Sequence, residues 1–144
     1  MKYRILFHER KMEIAISTGL VFRYYGELMY IIFDKPYCVL HFTGNTKYRV
    51  EATMQYVWDK LPDGMFLKCK RSAILNIFYC REFKKIPRLL IMEDGMEIKL
   101  SQRNVSDFKY MTGNFGLSNT FKPPCGGCYN CIIEKCEKKC DFYL

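Results

Sequence analysis

The strongest constraint in this sequence is a change of period. From residue 11 to residue 51, apolar and polar side chains alternate in short runs broken by turn residues. That is the pattern of strands that bury one face. Lys11–Ile16 alternates, and residues 27–33 and 37–43 are rich in Ile, Val, Tyr and Phe with Asp34-Lys35-Pro36 between them. Thr43-Gly44-Asn45-Thr46 turns the chain into residues 47–51, so two consecutive hairpins are expected. Two stretches leave this period. Met54, Val57, Trp58 and Leu61 fall on one helical face behind Thr53, a side chain suited to an N-cap, and Pro62-Asp63-Gly64 stops the run. Later, Val105, Phe108 and Met111 share a helical face behind Ser101. Between the two helices, residues 66–70, 73–77 and 79–86 read as extended. Residues 88–93 and 96–100 flank Asp94-Gly95, a hairpin signal of the type I′ kind. The expectation is a mainly β fold with short helices.

Composition sets the boundaries. Residues 1–10 read as a lead-in, 11–112 as one folded domain, 113–124 as a linker of Gly, Asn, Ser and two prolines, and 125–144 as a Cys-rich tail. The formal charge is +8, high for 144 residues. Residues 117–144 hold four lysines against three acids, so almost all of the excess lies in the body of the chain. A basic globular body attracts polyanions, nucleic acid first among them. No run approaches the roughly 20 apolar residues needed to cross a bilayer, and the first ten residues return to charge after three apolar ones. No membrane segment or leader is therefore expected, and the cytoplasm is the expected compartment. Thiols there are normally reduced, so eight cysteines point to metal, redox chemistry or burial before disulfides.

The segment Phe66-Leu67-Lys68-Cys69-Lys70-Arg71-Ser72-Ala73-Ile74-Leu75-Asn76 alternates, then breaks into Lys-Cys-Lys-Arg at its centre. Three cations in four residues repel one another unless something anionic faces them. A solvated, charge-blunted sheet edge explains the run equally well.

With its neighbours, this segment resembles the LytTR family of DNA-binding domains. That family has a basic residue before His-Arg-Ser and an apolar strand ending in Asn. Glu27-Leu28-Met29-Tyr30-Ile31 resembles the family's "D-I-L-Y-I" strand, and Tyr37-Cys38-Val39-Leu40-His41 resembles the strand after it. Leu61-Pro62 stands before the central motif, and Asp94-Gly95 with Ile98-Lys99-Leu100-Ser101-Gln102-Arg103 resembles the "D-G…I-P-V-S-R-R" ending. The resemblance spans about residues 11–112. It implies three small antiparallel sheets that contact double-stranded DNA through loops and a helix start, with two protomers on repeated half-sites. It places DNA contacts at Lys35 and Tyr37 in the first hairpin turn, at Lys68, Lys70, Arg71 and Ser72 in the central motif, and at Arg103 and Asn104 at the final helix start. Arginine can take both acceptors of a guanine edge, whereas Lys and Ser more often hold phosphate. Two positions depart from the family: Lys70 replaces its His, and Gln102 stands where Arg is common. Receiver domains usually precede such domains, and none fits before residue 11, so a free-standing regulator is expected.

Outside the resemblance, Arg81, Lys84, Lys85 and Arg88 form a second basic run. It reads as a phosphate track or as a solvated strand pair. Cys69 reads first as a packed small hydrophobe; its place between Lys68 and Lys70 offers the alternative of a favoured thiolate whose oxidation weakens DNA binding. Cys38 and Cys80 read as packed small hydrophobes, and His41 as a satisfied structural residue. In the tail, Cys125, Cys128, Cys131, Cys136 and Cys140 have metal-ligand spacing, and Gly126-Gly127 permits the necessary turn. Four of the five could hold zinc, with an iron–sulfur cluster as the alternative. No phosphate loop, nucleophile elbow or metalloprotease helix is present, so a regulator is expected rather than an enzyme. The competing reading is a protein-interaction or metal/redox-sensing module whose tail docks a partner.

Overall fold

A computed structural model describes residues 4–69 and 72–114. Eleven strands form three antiparallel sheets, as the alternating sequence requires. The first sheet joins β1 (Arg4–Phe7), β2 (Lys11–Ile16) and β3 (Gly19–Tyr24) in chain order. The second and largest contains β4 (Leu28–Asp34), β5 (Tyr37–Phe42), β6 (Thr46–Glu51), β7 (Phe66–Cys69) and β8 (Ala73–Asn76), in the order β6-β5-β4-β8-β7. The third joins β9 (Cys80–Lys84), β10 (Leu89–Met92) and β11 (Glu97–Lys99). Helix α1 (Met54–Lys60) follows β6, and α2 (Gln102–Asn114) follows β11.

Several expectations need adjusting. Residues 4–7, read as lead-in, pair with β2, with Ile5 opposite Ile14. The apolar run is too short for its alternation to stand out, and only Ile5 of the four is fully buried. β3 had no separate expectation, because Leu20 and Phe22 face outward and blur its pattern. Residues 79–86 do not form one strand. The Asn76 carbonyl oxygen Oδ1 accepts from the Phe78 N–H at 2.9 Å, winding residues 77–79 into a 3-10 turn before β9. The Asp94-Gly95 hairpin forms without a type I′ turn, since of its residues only Gly95 has positive φ (94°). Gly95 N–H donates to the Met92 carbonyl at 2.9 Å and Met92 N–H to the Met96 carbonyl at 2.8 Å. That is a three-residue loop. Asp94 pins it, its Oδ1 accepting the Met96 N–H and its Oδ2 the Tyr30 hydroxyl.

Central strand β8 is buried at all four residues between β4 and β7. Asn76, fully buried, ties it to β4 by donating from Nδ2 to the Leu28 carbonyl at 3.0 Å. The Tyr79 hydroxyl donates to the Gly26 carbonyl. Helix α1 starts where expected, with Thr53 Oγ1 accepting the Tyr56 N–H at 3.1 Å. In α2, Val105, Phe108 and Met111 pack against the core, and the Phe108 ring lies 5.6 Å from Phe83 of the third sheet.

Candidate nucleic-acid interface

Strand register decides which turns meet. Asp34 pairs with Tyr37 and Tyr37 with Glu51, while Ala73 pairs with both Ile32 and Cys69. The β4–β5 turn, the end of β6 and the β7–β8 connection therefore share one end of the largest sheet. Phe33 N–H donates to the Ser72 carbonyl at 2.8 Å, which holds the central motif beside the first hairpin turn. The start of α2 joins them, because Asn104 Nδ2 donates to the Lys68 carbonyl at 3.0 Å.

The expected contact residues fall into four groups. Lys35, Ser72 and Arg103 are exposed at this end. Tyr37 is half-buried, its ring covered by the Arg49 guanidinium at 4.9 Å. Lys68 is half-buried and donates from Nζ to Gln55 Oε1 at 2.8 Å. Lys70 and Arg71 lie outside the described residues. Asn104 has a different place from the one expected. It is 6% exposed, its N–H donates to Ser101 Oγ at 3.1 Å, and its Oδ1 accepts from Ser101 Oγ at 2.9 Å. This reciprocal cap engages the N–H groups of Ser101 and Asn104 at the helix start. Asn104 thus locks α2 onto β7, leaving Gln102 and Arg103 as the exposed side chains of that turn.

Sequence reasoning passed over Arg49, whose Nη2 lies 3.0 Å from Asp34 Oδ2. Its strand pattern marks it as outward-facing, but nothing local shows which turn it reaches. Of the two readings of Cys69, burial holds and the reactive thiolate is overturned. Strand alternation turns its side chain inward, opposite to that of Lys68, and it is 2% exposed. Burial, with Asp107 adding to it, pushes its thiol up to about 12, far from a reactive thiolate. Cys38 is also buried, and its thiol is pushed up to about 11 for the same reason. His41 stacks on Tyr30 at 4.4 Å, and burial followed by Lys47 lowers its pKa, with Asp94 opposing. Arg81, Lys84, Lys85 and Arg88 are all exposed.

Among the described residues, no three His, Cys, Asp or Glu side chains gather as metal ligands. The cysteines of the tail, Cys125 to Cys140, lie outside those residues. No helix among the described residues is long and apolar enough to cross a membrane.

A family model for the LytTr DNA-binding domain matches residues 20–113. A solved structure from Bacillus cereus, the LytTr DNA-binding domain of a methyl-accepting/DNA response regulator, superposes with a TM-score of 0.61 at 19% identity, covering 74% of this chain and 99% of that one. No curated protein matches the sequence.

Proposed function

The chain belongs to the LytTR family of DNA-binding domains, and we propose that it regulates transcription by reading duplex DNA with the turn-bearing end of its largest sheet. The observation carrying this reading is the convergence of three separate turns, near residues 35, 72 and 103, at that one end. Turns projecting from a rigid sheet can enter neighbouring grooves without a helix lying along either. In this reading Arg71 and Arg103 read base edges, while Lys68, Ser72 and Lys35 hold phosphates. Lys70, in place of the family's His, supplies a point charge with less directional readout. Two protomers on repeated half-sites would extend the recognised sequence.

Base preference and salt dependence together test the assignment. Arg71→Ala and Arg103→Ala should each cost about 1–3 kcal/mol of discrimination at one base position. Lys68→Ala should weaken all sequences alike. Unchanged base preference in both arginine variants would contradict the assignment. On spacing alone, the Cys-rich tail is proposed to hold zinc, with an iron–sulfur cluster as the alternative. Metal analysis of the anaerobically purified full chain, reading no bound metal, would remove that proposal.

A further inference from the structure

The third sheet carries a charge pattern that the three-turn reading does not use. Lys84, Leu89 and Lys99 form one cross-strand row, and Glu82, Ile91 and Glu97 form another on the same face. All four charged residues are exposed. Both lysines lie at the β9–β10 turn end of this face, and both glutamates lie towards the other end. Lys85 and Arg88 add two more exposed cations within the turn itself. At its tip Ile86 is 93% exposed, so the turn projects freely. The turn also adjoins the proposed interface. Leu100 N–H donates to the Arg88 carbonyl at 3.0 Å, and Ser101 to Arg103 follow directly at the start of α2.

Edge protection does not account for this arrangement. Lys84 and Lys99 do sit on the two edge strands, where lysines deter strand pairing. Glutamates would serve there equally, and at either end. What needs explaining is the polarity: cations beside the helix start, anions away from it. Among the described residues, moreover, no ion pair engages Lys84, Lys85, Arg88 or Lys99. Cations gathered at one place without counter-charges raise the local potential and favour an external anion.

We propose that Lys84, Lys85, Arg88 and Lys99 form a phosphate clamp that grips the DNA backbone flanking the bases read by Arg103. This inference rests on the DNA-binding reading and extends its footprint. Most of these groups are flexible ammonium ions, which hold phosphate without a directional fork for base edges. The clamp therefore adds affinity and salt dependence and leaves sequence preference alone.

The test uses the full chain and two duplexes with the same selected motif, one trimmed to the motif and one with about ten extra base pairs on each side. Affinity is measured across a salt series. On the long duplex, the triple variant Lys84→Gln, Lys85→Gln, Arg88→Gln should bind at least tenfold more weakly at low salt. Its log–log salt slope should fall by about 2–3, at about 0.9 per phosphate released. On the trimmed duplex it should match wild type, and its base preference should not change. The charge-keeping variant Lys84→Arg, Lys85→Arg, Arg88→Lys should bind the long duplex as wild type does, which separates charge from packing. Wild-type affinity and slope for the triple glutamine variant on the long duplex would overturn the clamp while the DNA-binding reading stands. Failure of the wild-type chain to bind either duplex would overturn both.

Discussion

At one end of the largest sheet, polar groups face one another. Arg23 donates to Thr46 Oγ1 at 2.9 Å and to the Thr43 carbonyl at 3.1 Å. It lies 3.2 Å from Glu27 Oε2 and stacks over the Phe42 ring. Nearby, the Tyr30 hydroxyl donates to Asp94 Oδ2 at 2.6 Å. At the opposite end, Lys35 and Arg103 are exposed, and beside it the third sheet exposes Lys84, Lys85, Arg88 and Lys99; among the described residues none of these is in an ion pair. Only Arg49, bound to Asp34, breaks the pattern there. Both ends close strands of the same sheet, so the need to terminate strands explains neither. The first end pairs most of its polar groups internally, Arg23 Nε being a buried exception, because they are partly buried and unpaired burial is costly. The second keeps its cations in water, available to a phosphate backbone. In the proposed function, one end serves stability and the other recognition.

Substitutions can break or sharpen that contrast. The largest expected effect is on the fold. Asn76→Ala leaves the Leu28 carbonyl and the Phe78 N–H without partners in a buried strand, at about 3 kcal/mol. Denaturant unfolding should show a lower midpoint at unchanged slope, and the base preference of the folded protein should not move. A shifted preference would mean that the central motif cannot be divided into a structural and a recognition part. Next, Tyr30→Phe removes a hydrogen bond to a carboxylate at the internally paired end, at about 2 kcal/mol. DNA affinity measured below the unfolding transition should be unaffected. A tenfold loss would place that end in the interface too. Smallest is Asp34→Asn at the recognition end. Its ion pair with Arg49 is exposed on both sides, so stability should change by no more than about 0.5 kcal/mol. Titration of a duplex should nevertheless show tighter binding, since a carboxylate leaves the DNA-facing surface and Arg49 is released. Weaker binding would mean that the pair positions Arg49 or Tyr37 for contact.

What could be read in the sequence follows the range of the interaction that wrote it. The periods of two and 3.6 made most hairpins and both helices visible, because burying one face constrains each segment locally. Thr53 and Ser101 announced the helix starts for the same reason. β1 and β3 were faint because their outward positions Leu6, Leu20 and Phe22 are apolar and exposed. A pattern reader takes such residues for core. Resemblance pointed to Lys35, Ser72 and Arg103, which are exposed at the turn-bearing end, but gave no sign that Asn104 is buried against β7, since that contact is with the Lys68 carbonyl 36 residues away. Arg49 reaches Asp34 across 15 residues. The polarity of Lys84 and Lys99 against Glu82 and Glu97 likewise exists only once β9, β10 and β11 are in register. Cys69 was open to a correct reading, because alternation turned it inward. The charges beside it drew attention from its burial.

The measurement that tests this account most directly is an unbiased selection of duplexes by the full wild-type chain at low and high salt. The account predicts a repeated motif enriched at low salt and lost at high salt. It also predicts that the enriched motif will protect flanking backbone on the side of the β9–β10 turn in a cleavage footprint. No enrichment at low salt would contradict the claim that the unpaired cationic end recognises DNA.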